Sequence, residues 1–91
     1  MTLLSLVEKL DKLEEEDVIF AKEKWTPEFE AAVFRLTKDY MAPEEAKRLG
    51  LKYLLEVHVA LEVLEGFTCE KPDATIRQKC ERLIRYAIYD A

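Results

Sequence analysis

The chain has 91 residues, of which 49% are apolar and 36% charged, and its formal net charge is −5. This length allows one domain with a modest core, and the apolar fraction excludes an intrinsically disordered chain. Only two glycines and three prolines are present, which favours a few long helices over an all-β fold. We therefore expect an all-α fold, a small four-helix domain that spans residues 1–91.

The N-terminal segment has the pattern of an amphipathic helix. Thr2 is a suitable N-cap, and apolar side chains recur every three or four residues from Leu3 to Leu13. The acidic run at 14–17 would oppose the dipole of a helix C-terminus, so helix 1 should end near Glu16. The β-branched and aromatic residues of Val18–Trp25 leave two interpretations open, a short extended segment or a continuation of helix 1.

Three further helices are expected. Thr26 as an N-cap and Pro27 at the first helical position indicate a helix 2 over 27–41. The same logic predicts helix 3 over 43–65, with Gly66 as a left-handed C-cap and with Gly50 inside it as a bend, a close helix crossing or a break. Asp73 would cap a helix 4 over 74–89. The residue that would normally pack on Trp25 in helix 2 is Glu30, so we expect helix 4 or a second subunit to cover Trp25.

The predicted helix 3 is apolar on two faces. One face has an ordinary core pattern, and a second line recurs at every fourth residue, formed by Leu51, Leu55, Val59 and Val63. A helix that is apolar nearly all round is either central to its domain or covered by a second copy. Helix 1 or the Val18–Trp25 segment could cover this line. Otherwise the four residues form a homodimer interface, because a bare apolar patch marks an interaction site.

No residue pattern predicts a catalytic or metal site. His58, the single histidine, is explained equally well by pairing with Glu62 one turn later as by catalysis. His58, Cys69 and Cys80 lack the two-to-four-residue ligand spacing that is usual in structural zinc sites, and free thiols are expected. No glycine-rich phosphate loop is present. We therefore predict no catalytic residue, no cofactor and no metal, and hence no enzyme.

Charge is distributed unevenly along the chain. Residues 1–45 contain six Lys and Arg against twelve Asp and Glu, whereas residues 46–91 contain eight against seven. Such an acidic chain is a poor nucleic-acid binder, since phosphate backbones attract clustered cations. The one basic cluster should pair with the acidic half or dock an acidic partner; it comprises Lys71, Arg77, Lys79, Arg82 and Arg85.

These observations favour two classes of function. The first is a non-enzymatic protein-interaction or regulatory module that acts as a homodimer through Leu51, Leu55, Val59 and Val63. The alternative is an acidic inhibitor that occupies the nucleic-acid-binding surface of a partner protein, which a continuous acidic surface would support. No targeting segment and no apolar run of about 20 residues is visible, which predicts no membrane association and a cytoplasmic location.

Overall fold

A computed structural model describes residues 1–36, 38–39 and 41–89 and shows a mixed α/β fold. The all-α prediction is therefore wrong. The elements in chain order are α1 (Leu3–Glu8), a 3₁₀ turn (Leu10–Lys12), β1 (Val18–Lys22), β2 (Ala31–Phe34), α2 (Glu44–Arg48), β3 (Leu51–Glu56), α3 (Val57–Glu70) and α4 (Ile76–Tyr89). Within the described residues, the strands form one antiparallel sheet in the order β2-β1-β3.

Strand β1 lies at the centre of the sheet. Its first four side chains, from Val18 to Ala21, are all buried, because helices cover one face of the sheet and α2 lies against the other. The extended interpretation of this segment is thus confirmed over Val18–Lys22. Both of its hydrogen-bonded neighbours are strands of the same chain, so β1 needs no symmetry mate.

The region predicted as helix 2 contains strand β2 instead. Thr26 starts a turn, in which the Phe29 N–H donates to the Thr26 carbonyl at 3.1 Å, and Ala31–Phe34 then pairs with β1 in register with Val18–Ala21. A fully buried central strand needs a partner on each side, and this tertiary requirement overrides local helix propensity. Thr37 and Tyr40, which fall within the same predicted helix, lie outside the described residues.

The predicted helix 3 is divided into a short helix, a strand and a long helix. Gly50 has a φ of +73° and turns the chain from α2 into β3, a backbone conformation that favours glycine. The helix resumes at Val57 and passes through Gly66 to end at Glu70. Gly66 is therefore not a C-cap, and Leu51 and Leu55 lie on a strand rather than on a helix.

The first and last helices agree better with the sequence. Thr2 caps α1 by accepting the Ser5 N–H at 3.1 Å, as predicted, although α1 ends at Glu8 and only a 3₁₀ turn follows. Helix 4 is confirmed as α4. Its cap is Thr75 rather than Asp73, because Thr75 and Gln78 exchange side-chain-to-backbone hydrogen bonds of 2.9 and 3.1 Å, the arrangement of a capping box.

Two apolar clusters occupy the two faces of the sheet. The larger cluster joins α1, α3 and α4 to one face and includes Ile19, Ala21 and Leu83. The smaller one joins α2 to the other face and includes Phe20 and Ala46. None of the helices in the described residues combines the length and apolar character that are needed to cross a membrane.

Candidate interaction surface

The outer edge of β3 is the open edge of the sheet. The Lys22 N–H donates to the Glu30 carbonyl at 2.9 Å, so alternation along β1 directs the backbone groups of Ile19 and Ala21 towards β3. Their partners on β3 are Leu55 and Lys52, whose backbone groups point towards β1. The backbone groups of Leu51 and Tyr53 therefore point outward, away from the sheet. No backbone group elsewhere in the described residues pairs with this edge.

The opposite edge of the sheet is partly covered by the N-terminal segment. The Ala31 N–H donates to the Met1 carbonyl at 2.8 Å, and the Leu3 N–H donates to the Phe29 carbonyl at 2.9 Å. Thr2 forms a single antiparallel bridge with Glu30. The first residues of the chain therefore occupy the start of β2 and leave β3 as the more accessible edge.

A cleft of about 350 Å³ runs beside the open edge of β3. Three aromatic residues line it, Trp25, Tyr53 and Tyr86. The rest of the lining consists of one acidic residue, Glu56, and four apolar residues: Leu54, Leu55, Val59 and Ala87. The prediction that helix 4 helps to cover Trp25 agrees with this position, since Tyr86 and Ala87 belong to α4. The lining contains neither lysine nor arginine.

Hydrogen bonds fix two of the polar groups in this cleft. The indole N–H of Trp25 donates to the Ala21 carbonyl at 3.1 Å. The Tyr53 hydroxyl donates to Glu56 Oε1 at 2.9 Å. Partial burial and this bond to a carboxylate raise the pKa of Tyr53 to about 12, since both favour the neutral phenol. The Tyr53 ring also packs edge-on against the Phe20 ring on the α2 face of the sheet, whereas Trp25 and Tyr86 pack on the helix-covered face, so the two sides of the cleft differ.

His58 pairs with Glu56 rather than with the predicted Glu62. Its Nε2 lies 3.4 Å from Glu56 Oε2, and its side chain is 47% exposed. About half of the side chain is therefore exposed to solvent, and the chain contains no second histidine. This arrangement supports the interpretation of His58 as a surface residue that helps to hold Glu56.

The four predicted interface residues occupy two elements. Leu51 and Leu55 are on β3 and only 4% and 7% exposed, whereas Val59 and Val63 are half-buried on α3. The structure brings Leu55 and Val59 together at the cleft. Leu51 instead packs with α2 on the opposite face. A single helical stripe does not exist, and the side chains of both leucines are already covered within one copy.

The sequence prediction missed Tyr53, Tyr86 and Glu56 as members of one surface. A helix over 43–65 would place Tyr53 on its core face, whereas its side chain is 45% exposed at the sheet edge. The missing information was the bulged strand: residues three apart in a regular strand face opposite sides, and the extra residue Leu54 puts Tyr53 and Glu56 on the same side, away from the core.

The two cysteines differ in their surroundings and are both free. Cys69 is exposed at the end of α3, and Cys80 is buried on the inner face of α4. Burial raises the pKa of the Cys80 thiol to about 12. Among the described residues, no three His, Cys, Asp or Glu side chains are grouped closely enough to hold a metal ion.

Ion pairs interrupt the acidic surface. Arg77 of α4 binds Glu28, and this hydrogen bond lowers the pKa of Glu28, so one residue of the basic cluster pairs with the acidic half as predicted. Arg35 binds Glu16 and Asp17 at 3.2 and 2.9 Å. These contacts neutralise part of the negative charge at each site.

Comparison with models of protein families gives no match for this chain. Neither the curated proteins nor the solved structures include one with significant similarity to it.

Proposed function

We propose that the chain is a non-enzymatic protein-interaction module that acts as a homodimer, and that two copies join through the open edges of β3. The observation that carries this proposal is the unpaired outer edge of β3 beside a cleft lined by aromatic residues. Strand addition at such an edge gains main-chain hydrogen bonds and takes specificity from neighbouring pockets. Two three-stranded sheets would then form one continuous sheet across the dimer axis.

Exposed apolar side chains at this edge support the same arrangement. Tyr53 is 45% exposed, and the half-buried Trp25, Val59 and Tyr86 border the cleft. Leu51 and Leu55, although covered, would contribute their strand to the interface rather than their side chains. The proposed interface therefore lies at a strand edge rather than on the helix face that the sequence predicted. Val59 belongs to both interfaces as a direct contact.

The two ends of the sheet explain why this pairing would stop at two copies. A two-fold axis uses the β3 edge of both copies at once. The remaining outer edges belong to β2, whose start is occupied by Met1 to Leu3. The start of that edge is therefore blocked, which disfavours the addition of further copies and favours a closed dimer.

The acidic-inhibitor hypothesis stays a prediction with less support. Its supporting observation would be a continuous ribbon of negative charge, as a nucleic-acid mimic requires. The pairing of Arg35 with Glu16 and Asp17, and of Arg77 with Glu28, interrupts that ribbon at two places. We therefore favour the homodimeric module.

Sedimentation velocity of two matched variants tests the proposal. Tyr53→Pro removes the outward N–H from the edge, whereas Tyr53→Thr keeps this donor and a good strand former. Both variants lose the tyrosine ring, so any difference between them reports on the backbone edge. We expect wild type and Tyr53→Thr to dimerise and Tyr53→Pro to sediment as a monomer with an unchanged far-ultraviolet circular dichroism spectrum.

A wild-type protein that remains a monomer at about 200 μM would refute the homodimer, because stable interfaces have dissociation constants well below this range. Dimerisation of Tyr53→Pro with wild-type affinity would show that the interface lies elsewhere on the chain.

A further inference from the structure

We propose that the two copies of the homodimer meet with Tyr53 directly opposite the partner's Tyr53, so that a row of aromatic rings continues across the dimer axis. This inference rests on the proposed homodimer. It adds the register of the two edge strands and the side chain that recognises the second copy, neither of which follows from edge pairing alone.

A row of aromatic rings crosses the α2 face of the sheet, with one ring from each strand. The ring centroids of Phe20 on β1 and Phe34 on β2 are 5.9 Å apart, with 72° between the ring planes. Those of Phe20 and Tyr53 on β3 are also 5.9 Å apart, at 79°. Both are edge-to-face contacts, which the ring quadrupoles favour. Phe20 is fully buried, whereas Tyr53 is 45% exposed, so the row ends in a half-covered ring at the open edge.

The outward backbone groups of β3 select a register. Leu51 and Tyr53 point outward, Leu54 is the extra residue of the bulge, and Leu55 faces β1 again. The N–H of Glu56 therefore points outward as well. In an antiparallel pair of β3 strands that is centred on Tyr53, and with the bulge counted on both strands, Leu51 of each copy lies opposite the partner's Glu56. Every outward residue then faces an outward residue.

The faces of the two sheets agree with this register. A two-fold axis that joins two antiparallel edge strands into one sheet is perpendicular to it, so each face continues into the same face of the partner. Tyr53 pairs with Phe20, which belongs to the α2-face cluster, and directly opposed residues share a face. Both tyrosine rings therefore lie on the α2 face. Their Cα atoms would be about 5.5 Å apart, as in a hydrogen-bonded antiparallel pair, which is within reach of a ring contact.

The charge of Lys52 disfavours the neighbouring register. Lys52 is exposed, and a pair of strands centred on it would set two ammonium groups directly opposite each other. That pair would be a non-hydrogen-bonded one, in which side chains lie closest, and like charges placed so are destabilising. In the register centred on Tyr53, the two Lys52 Cα atoms are about 8 Å apart, and the aromatic pair takes the central position.

Disulfide trapping in the full-length chain tests the register. A Cys69→Ser background removes the exposed native thiol. In it, Tyr53→Cys places two thiols on directly opposed residues, whose Cα separation of about 5.5 Å suits a disulfide. Lys52→Cys is the matched variant one residue away, since about 8 Å between its Cα atoms is too long for a disulfide. Lys12→Cys, exposed on the 3₁₀ turn, measures linking by random collision.

We expect oxidised glutathione to link Tyr53→Cys into a covalent dimer roughly tenfold faster than either Lys52→Cys or Lys12→Cys, because only the first pair has suitable geometry. Intact mass spectrometry under non-reducing conditions measures the linked fraction over time.

The contribution of the ring is measured separately by sedimentation. Tyr53→Phe keeps the aromatic ring, whereas Tyr53→Thr keeps the backbone donor and removes the ring. We expect Tyr53→Phe to dimerise within about threefold of wild type. Tyr53→Thr should still dimerise, but about three- to tenfold more weakly, from the size of one aromatic pair.

The outcomes separate this inference from the homodimer itself. Faster linking of Lys52→Cys than of Tyr53→Cys would refute the register and leave the edge-paired homodimer standing. Equal dimerisation of Tyr53→Thr and wild type would refute the ring contact alone. If wild type is a dimer and neither Tyr53→Cys nor Lys52→Cys links faster than Lys12→Cys, the β3 edges do not meet. A monomeric wild type refutes both proposals.

Discussion

Substitution of the two glycines by alanine gives a sharp test of the fold, because the mixed fold and an all-helical fold predict opposite signs. In the structure, Gly50 has a φ of +73°, and Gly66 lies inside α3 with ordinary helical geometry. In the all-helical prediction the assignments are exchanged, with Gly50 inside a helix and Gly66 at a left-handed C-cap. Each protein variant therefore distinguishes the two folds independently.

The magnitudes follow from the backbone alone. A Cβ added at either glycine meets no atom within 4 Å, so steric contact contributes nothing to the difference. The left-handed conformation at position 50 costs a non-glycine residue roughly 1–2 kcal/mol, and reduced freedom of the unfolded chain offsets about 0.4–1 kcal/mol of it. Gly50→Ala should thus destabilise by roughly 1 kcal/mol. Gly66→Ala should stabilise by a similar amount, about 1 kcal/mol, as alanine replaces glycine in a helix interior.

Urea unfolding followed by far-ultraviolet circular dichroism measures both changes at one fixed protein concentration. The midpoint should fall for Gly50→Ala and rise for Gly66→Ala. In thermal unfolding, the corresponding shifts are about 4–8 °C per kcal/mol for a domain of this size. Stabilisation by Gly50→Ala would contradict the left-handed turn into β3 and, with it, the open strand edge on which the proposed function depends.

Two further predictions concern titratable groups. Because burial raises the pKa of Cys80 to about 12, iodoacetamide at pH 8 should modify Cys69 in the native protein and reach Cys80 only in denaturant; equal labelling of both in the native state, measured by mass spectrometry, would contradict the burial. The pKa of Tyr53 is raised to about 12 in the folded state, so the unfolded chain loses this proton first and stability should fall between pH 10 and 12. Tyr53→Phe should flatten that part of the urea midpoint–pH curve, and an unchanged slope would argue against the bond to Glu56.

The parts of the fold that the sequence predicted well carry their own local signals. The Thr2 side chain caps α1, and the periodicity of the last helix gives α4 almost to its boundaries. The β-branched and aromatic residues of β1 indicate an extended segment without help from the rest of the chain. These elements require no knowledge of a distant partner.

Strand β3 was missed because a β-bulge interrupts the alternation of buried and exposed residues that identifies a strand. The register between β1 and β3 shifts between Ile19 and Phe20, so that Leu54 is the extra residue on β3. Leu54 and Leu55 are therefore both buried, and together with Leu51 they reproduce the spacing i, i+3, i+4 of a helix face. A regular strand would have shown strict alternation. This segment becomes a strand because it pairs with β1, and β1 is too distant in the sequence for any local pattern to reveal the pairing.

The candidate site was only partly predicted, because the strand that forms it was missed. Val59 and Leu55 were identified because they are apolar, and both border the cleft. Tyr53 and Glu56 were not, because a helix places residues three apart on one face with their neighbours, whereas the bulged strand directs these two away from Leu54 and Leu55. Trp25 and Tyr86 meet at the cleft only through the packing of α4 on the sheet.

The same bulge bears on the kind of assembly that β3 can form. Bulges and charged residues on edge strands usually limit uncontrolled pairing, and β3 has both, in Leu54 and Lys52. A bulged edge presents few outward backbone groups, so backbone pairing alone would bind a second strand weakly. The side chains that flank the edge, Tyr53 and Val59 among them, must therefore contribute to the proposed interface, which favours a partner with complementary side chains over an unrelated strand.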